Sequence, residues 1–184
     1  MKPLTYSPNR WVEFLRLTDP ELLKACKVDV HKSSGKGGQK KNKVENAIRL
    51  TLNKLQVVES SSRSKETNIK GALTKMRIAI ALDYLVGNEF RTFMTDPPKE
   101  IMPYLGSGEI RISQKNPAFP LFLGWFLDRF LAHQSDFSAL AIEVGSSKTQ
   151  VRKFIERNPA LNHVVAEAGE FVFMMNSLIS GPKE

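Results

Sequence analysis

The 184-residue sequence is 41% apolar and 25% charged, which is typical of an ordinary globular protein. It has no apolar run near the ~20 residues that cross a bilayer and no signal-peptide pattern, which argues against membrane-spanning and secreted proteins. A single cysteine, Cys26, excludes an internal disulfide and a CxxC metal site. We therefore expect a cytoplasmic protein that uses no metal and no cofactor.

The net charge of +8 is concentrated in less than a third of the chain. Residues 27–77 hold 13 Lys/Arg and 4 Asp/Glu, a local charge of +9, whereas the rest of the chain carries −1. A dense basic region on an otherwise neutral protein is typical of a polyanion partner, namely RNA, DNA or an anionic membrane. A solvated lysine-rich surface has the same composition, so charge alone leaves these interpretations open.

In chain order, the first predicted helix starts at Thr18, where a capping oxygen precedes a proline and an early carboxylate, and it ends near Cys26. Residues 28–31 alternate in the manner of a strand. Residues 32–39 contain no apolar side chain and are predicted to form a loop. Two β-prone pieces follow, at 48–51 and 56–59, and their short separation favours a hairpin.

The clearest helix covers residues 65–86, because apolar residues recur at helical spacing and Gly87-Asn88 is expected to stop it. These elements predict an α+β fold in which a small sheet packs on one long helix. Residues 1–88 are assigned to this first domain.

Residues 89–119 hold four of the ten prolines and are predicted to be a connector with a small strand at 110–112. Residues 120–184 are predicted to form a small helical C-terminal region. Its first helix, at 121–133, is apolar on nearly every face and should be buried. Three further helices are predicted to begin at Asp136, at Ser146 or Ser147, and at Pro159.

The loop at 32–39 is the candidate for chemistry. Gly35, Gly37 and Gly38 lie within four residues, so the backbone can reach torsions closed to other residues and approach a ligand closely. Successive N–H groups in such a loop can form a concavity that binds anions. No Ser-His-Asp or Cys-His relay accompanies it, so a catalytic loop here would act through backbone dipoles and a bound water. The surrounding cations, which would follow a phosphate backbone, are Lys32, Lys36, Lys40, Lys41 and Lys43.

The run HKSSGKGGQKKNKVENAIRL at residues 31–50 closely resembles the signature of class I peptide chain release factors and their ribosome-rescue relatives. The resemblance extends over residues 19–82. Its other matching positions are Val57, Val58, Glu59, Arg63, Ser64, Asn68, Ala72, Leu73 and Arg77. It implies a release-factor GGQ domain whose partners are large-subunit ribosomal RNA and peptidyl-tRNA, with no membrane involved.

The resemblance also implies hydrolysis of the peptidyl-tRNA ester. Gly37 and Gly38 would let the turn fit the crowded peptidyl-transferase centre, and the backbone N–H of Gln39 would stabilise the developing oxyanion and the leaving oxygen. The Gln39 side chain would limit the nucleophile to water. Ribosomal RNA and a tRNA hydroxyl would complete the site. The residues expected to fix the loop or touch RNA are Ser33, Ser34, Gly35, Lys36, Lys40, Lys41, Lys43, Arg49, Arg63 and Asn68.

The hairpin connection, Leu52 to Leu55, is shorter than in the full-length factors, and two features of the loop also depart from the family pattern. Lys36 stands where a small residue or proline is usual, and Lys40-Lys41 replace a polar residue followed by valine. The added charge either strengthens RNA binding or disturbs the fit of the loop, so a non-catalytic factor that binds ribosomal RNA is the alternative function.

The expected subtype is a factor that releases or rescues without reading stop codons. The sequence contains no anticodon-like tripeptide motif, and residues 170–184 hold one basic residue, Lys183, where small rescue hydrolases have a basic tail. A partner protein is one way in which decoding would be supplied.

Residues 139–155 have the pattern of a helix-turn-helix, with small Ala141, a turn glycine at Gly145, and apolar Val151 and Phe154. The second helix would present Lys148, Gln150, Arg152 and Lys153. A plain pair of helices packed on residues 121–131 has the same pattern, and both interpretations stay open. If this region binds a partner, ribosomal RNA is the expected one.

Overall fold

The computed structural model describes the backbone of residues 10–32, 45–86 and 89–179, and the side chains of residues 10–31, 46–85 and 91–170. Over these residues the chain is α+β, as the sequence predicts. It forms two compact units, residues 1–83 and 84–184. The functional domain bounds of 1–88, 89–119 and 120–184 stay predictions. No helix within the described ranges is long and apolar enough to cross a bilayer.

The first unit packs a three-stranded sheet on a long helix. Its elements are α1 (Trp11–Arg16), α2 (Asp19–Ala25), β1 (Lys27–Lys32), β2 (Glu45–Leu52), β3 (Leu55–Glu59) and α3 (Lys65–Leu82). The strands are antiparallel in the order β1-β2-β3, so Ile48 of the central strand lies opposite Val30 and Glu59. The predicted strand at 28–31 and the predicted hairpin are confirmed.

Local sequence signals place the helices of this unit. The Glu21 carboxylate accepts hydrogen bonds from the N–H (2.8 Å) and the hydroxyl (2.7 Å) of Thr18, at the predicted start of α2. The Ser64 hydroxyl caps α3 by accepting from the N–H of Thr67. Alternate residues of β2 face α3 and build the core with it. This core comprises Ile48, Leu50, Leu52, Ala72, Leu73, Met76 and Ile80.

Helix α3 ends at Leu82, four residues before the predicted end at Val86. Asp83 is extended, and Leu85 and Val86 form strand β4 (Leu85–Val86), which pairs with β5 (Glu89–Phe90). The apolar residues after position 82 therefore make hydrogen bonds in a hairpin instead of a helix. Apolar periodicity does not separate a short strand from a last helical turn.

The second unit surrounds an almost wholly buried helix, α4 (Phe119–Ala132), which confirms the predicted buried helix at 121–133. Its other helices are a 3-10 turn at Met102–Tyr104, α5 (Phe137–Val144), α6 (Lys148–Glu156) and α7 (Pro159–Ile179). The predicted starts at Asp136, Ser147 and Pro159 are confirmed, and the first two side chains accept capping hydrogen bonds. The rings of Phe122 and Phe126 pack against Phe154 and so join α4 to α6.

The predicted strand at 110–112 is wrong, since residues 110–112 form no strand. The chain segment just before them makes its backbone hydrogen bonds to a turn and not to a neighbouring strand. Gly106 N–H donates to the Val144 oxygen, and Gly108 N–H donates to the Gly145 oxygen, both at 3.0 Å. Gly145 has φ +69°, and a Cβ there would lie 2.4 Å from Gly106 Cα. Only glycine permits this approach of two backbones.

A buried ion pair holds the start of the second unit. Arg91 and Asp128 are both 0% exposed in their side chains, and their Nε and Oδ1 atoms are 2.7 Å apart. Arg91 Nη2 also donates to the Gly124 oxygen at 2.8 Å, and the other Asp128 oxygen accepts from the Met94 N–H at 3.0 Å. Burial raises the pKa of Asp128, while Arg91 acts in the opposite direction.

Candidate functional site

The candidate loop joins β1 to β2. Ten of the predicted site residues lie outside the described residues, namely Ser33, Ser34, Gly35, Lys36, Gly37, Gly38, Gln39, Lys40, Lys41 and Lys43. The described base of the loop is the pair Lys32 and Glu45, which follows a shift of register between His31 and Lys32. The other three predicted residues, Arg49, Arg63 and Asn68, are described.

One end of the first unit gathers four chain segments. Because the strands are antiparallel, the end of β1, the start of β2 and the end of β3 lie at the same end of the sheet. Residues 60–64 then turn the chain into α3. The base of the loop therefore lies beside this turn and beside the N-terminus of α3, where the backbone N–H groups carry partial positive charge.

Asn68 ties these segments together and is 0% exposed. Its side-chain amide donates to the backbone oxygens of Asn46 (2.6 Å) and Ser62 (2.9 Å), and its amide oxygen accepts from the Ser62 N–H (2.9 Å). One buried side chain thus joins the start of β2, the turn and the helix. The two roles expected for Asn68, fixing the loop and touching RNA, stay predictions.

The turn at 60–64 is held by further hydrogen bonds. Asn46, which is 5% exposed, donates from its side-chain nitrogen to the Ser62 oxygen at 3.2 Å. The Ser62 hydroxyl accepts from the Ser64 N–H at 3.1 Å. The first residues of β2 and the cap of α3 are therefore part of one hydrogen-bonded network.

Glu59, the last residue of β3, holds the other side of the turn. Its carboxylate accepts from the N–H groups of Ser60 (2.9 Å) and Ser61 (2.8 Å), and Lys75 Nζ lies 3.0 Å away. Hydrogen bonds from Ser61, helped by Lys75 and opposed by burial, lower the pKa of Glu59 to about 2. Gly71 makes room for the carboxylate, because a Cβ there would lie 2.9 Å from Glu59 Cγ.

Arg49 and Arg63 remain accessible to a polyanion. Arg49 lies on the sheet face opposite α3, with its Nε 3.4 Å from an Asp29 oxygen, and its side chain is 41% exposed. Lys27 shares the same carboxylate at 3.6 Å. Arg63 is exposed in the turn at 60–64, at the end of the unit that carries the loop.

Sequence reasoning missed Asn46, Glu59, Ser62 and Gly71 as parts of this network. A carboxylate directly before three serines is a local signal that could have indicated the Glu59 turn, whereas no spacing links Asn46 to Ser62. Cys26 is buried, which raises the pKa of its thiol to about 11 and leaves it protonated. Among the described residues no group of His, Cys, Asp and Glu could hold a metal ion.

The family model of the RF-1 domain matches residues 22–116, just over half of the chain. The chain therefore belongs to the RF-1 domain family, the family of the class I peptide chain release factors. The corresponding comparisons with curated proteins and with solved structures find no match. Membership of this family supports a release-factor-like function and interaction with the ribosome.

Proposed function

We propose that the protein hydrolyses the peptidyl-tRNA ester in the ribosome, in release or rescue, without reading a stop codon itself. The observation that carries the proposal is the Gly37-Gly38-Gln39 triplet between β1 and β2 of an RF-1 domain. The buried network at the base of the loop supports it. Backbone dipoles stabilise a transition state best when they are preorganised, and Asn68 and Glu59 restrain the segments beside the loop.

In the proposed reaction a water oxygen attacks the carbonyl carbon of the ester that joins the peptide to the terminal adenosine. The carbonyl oxygen carries the negative charge of the tetrahedral intermediate. The bond to the adenosine oxygen then breaks, that oxygen takes a proton, and the peptide leaves with a free carboxyl group. The Gln39 N–H stabilises the developing charge, its side chain limits the nucleophile to water, and Gly37 and Gly38 leave room for the substrate.

The ribosome supplies the rest of this proposed site. Ribosomal RNA and a tRNA hydroxyl complete it, so the isolated protein should hydrolyse poorly. The protein is proposed to act in the cytoplasm, and a partner protein is one way to supply decoding. The proposed contacts with RNA come from Ser33, Ser34, Gly35, Lys36, Lys40, Lys41, Lys43, Arg49 and Arg63.

Peptide release from stalled ribosomes tests the proposal, with and without mRNA in the A site. Wild type should release peptide, and Gly38→Ala should release it at least about 100-fold more slowly at saturating factor. In the proposed mechanism a Cβ at position 38 shifts the turn that aims the Gln39 N–H, and loss of a preorganised oxyanion donor costs roughly 10²–10³ in rate. Gln39→Ala keeps the backbone N–H, so its release rate should fall less than that of Gly38→Ala. Because it lacks the side chain that limits the nucleophile to water, it should also accept hydroxylamine as a competing nucleophile. Equal release by wild type and Gly38→Ala would rule out this mechanism.

Lys36 and the Lys40-Lys41 pair favour a second candidate, a non-catalytic factor that binds ribosomal RNA through the same loop. It predicts tight, salt-sensitive binding to ribosomes without release on any stalled complex. Lys36→Ala separates the two candidates further. Release that appears only in this variant would mean that the wild-type loop binds without cleaving.

A further inference from the structure

Helix α6 carries a concentrated positive charge in a unit that is otherwise slightly acidic. Residues 84–184 hold 10 basic and 11 acidic side chains, but residues 148–157 hold four basic side chains and one acidic one, Glu156. The next helix, at Pro159–Ile179, has two glutamates and no Lys or Arg. The four cations are Lys148, Arg152, Lys153 and Arg157.

All four cations lie on the solvent side of the helix, because its other side is buried. Val151, Phe154 and Ile155 are between 0% and 6% exposed and pack into the unit, whereas each of the four cations is exposed. No ion pair within the described part of the chain involves any of the four. Arg152 lies with its guanidinium carbon 5.4 Å from the centroid of the Phe137 ring, a contact that leaves its charge uncompensated.

The turn before α6 is held in place. Gly145 begins the connection from α5 to α6; the Gly106 N–H donates to the Val144 oxygen, and the Gly108 N–H donates to the oxygen of Gly145 itself. The Ser146 hydroxyl donates to the Gly108 oxygen at 2.8 Å. Two cation pairs at i,i+4 spacing then follow on α6, and each pair spans about 6 Å along the helix axis.

Two acidic neighbours of this surface, Glu109 and Asp136, have partners of their own. Glu109 pairs with Arg111 and lies within electrostatic reach of Arg157 and Lys153. Asp136 caps α5 by accepting from the Ser138 N–H, and Lys148 helps to lower its pKa. Glu170 lines the same cavity as Arg152 and Glu156. The five basic and four acidic groups, Glu156 and Glu170 included, still leave an excess of positive charge on one face.

We propose that the exposed face of α6 binds the phosphate backbone of structured RNA through Lys148, Arg152, Lys153 and Arg157. The major groove of an RNA helix is too deep and narrow to be read by side chains, so these cations would contact phosphates without reading bases. The choice of RNA over DNA rests on the release-factor-like function of the family. The surface would give the second unit an anchor on RNA separate from the candidate loop.

Binding of the full chain to a labelled RNA hairpin, measured by fluorescence anisotropy over a range of KCl concentrations, tests this proposal. The test variant is Lys148→Gln with Lys153→Gln. The control is Lys24→Gln with Lys99→Gln, which removes the same charge from exposed lysines elsewhere. Glutamine is a good helix former, so α6 should persist. The test variant should bind about tenfold more weakly, with a salt slope smaller by roughly 1.5–2, and the control should bind like wild type.

Equal binding by the test and control variants would overturn the proposal. Tighter binding to a DNA hairpin of the same sequence, lost in the test variant, would overturn the choice of RNA. The release assay keeps this proposal separate from the proposed hydrolysis. The α6 variant should need about tenfold more factor for half-maximal release but reach the wild-type rate at saturation, whereas Gly38→Ala should bind the hairpin normally and lose the saturating rate. If wild type binds the hairpin normally but releases no peptide, the proposed hydrolysis is contradicted and the proposed RNA-binding surface is not.

Discussion

The first unit fixes the base of its candidate loop with a neutral amide, whereas the second unit fixes its entry segment with a buried ion pair. Asn68 and the pair Arg91 and Asp128 are all 0% exposed. A buried amide costs little once its hydrogen bonds are made, whereas two buried charges must offset large desolvation penalties through each other. Breaking the ion pair should therefore lower the free energy of unfolding more, although the amide belongs to the unit that carries the candidate loop.

Replacing Arg91 should have the largest effect on stability. Arg91→Met leaves the Asp128 carboxylate without its cation inside the unit, and the free energy of unfolding should fall by about 3–5 kcal/mol. Urea unfolding, followed by Trp125 fluorescence in a Trp11→Phe background, would measure this loss in the second unit. The double variant Arg91→Met with Asp128→Leu should recover most of it. Equal losses in the single and double variants would show that the pair acts by packing and not by charge.

Gly145→Ala should have the second-largest effect and lower the free energy of unfolding by about 3 kcal/mol. An alanine there has a left-handed φ of +69° and a Cβ 2.4 Å from Gly106 Cα. Gly108→Ala is the matched control, because its φ is +78° and nothing lies within 4 Å of the added Cβ. In the control the free energy of unfolding should fall by only roughly 1–2 kcal/mol, the cost of holding alanine in a left-handed backbone conformation. The same melting temperature for both variants would mean that the close approach of the two backbones adds no cost.

Asn68→Ala should destabilise the first unit by about 2–3 kcal/mol, because the Asn46 oxygen and the Ser62 N–H lose the Asn68 amide and the Ser62 oxygen keeps only its hydrogen bond from Asn46. The proposed mechanism adds a second effect, a lower release rate at saturating factor with unchanged binding to the RNA hairpin. Asn162→Ala, at an exposed position on α7, is the control and should change neither measurement. A release rate that stays at the wild-type value at a temperature where Asn68→Ala is folded would show that the network does not position the loop.

Glu59→Gln should have the smallest effect, about 1 kcal/mol at neutral pH, because the amide still accepts hydrogen bonds but loses the charge that meets Lys75. The pKa of Glu59 is about 2 in the folded protein and 4.5 for the free group. Its stabilisation is therefore fully present above about pH 4.5 and is lost as the pH falls through about 2.

The difference in unfolding free energy between wild type and Glu59→Gln should consequently shrink as the pH is lowered from 6 to 2. Glu66→Gln provides the control, because the Glu66 side chain is 80% exposed and should show almost no difference at either pH. A gap between wild type and Glu59→Gln that stays constant over this range would contradict a role for the ionised carboxylate.

Local patterns predicted much of the fold. The starts of α2, α5 and α6 follow from Thr18, Asp136 and Ser147, whose side chains form hydrogen bonds within three residues of themselves. The strands and the buried helix α4 follow from alternation and from a nearly continuous apolar run. Two errors have different causes. After α3 a local hairpin, β4 with β5, replaces the predicted last turn of the helix, and the chain before residue 110 binds a turn formed far along the sequence.

By itself the sequence determined the resemblance to release factors, the Gly37-Gly38-Gln39 triplet and the order of the elements, because these depend on residues close together in the chain. Tertiary structure alone showed that the Asn68 amide donates to the Asn46 oxygen, 22 residues away, and that Ser146 lies against Gly108 across 38 residues. Such contacts depend on which chain segments the fold brings within hydrogen-bond reach. A buried asparagine and an exposed one cannot be told apart by residue type. Only their burial and their hydrogen-bond partners in the folded protein distinguish their roles.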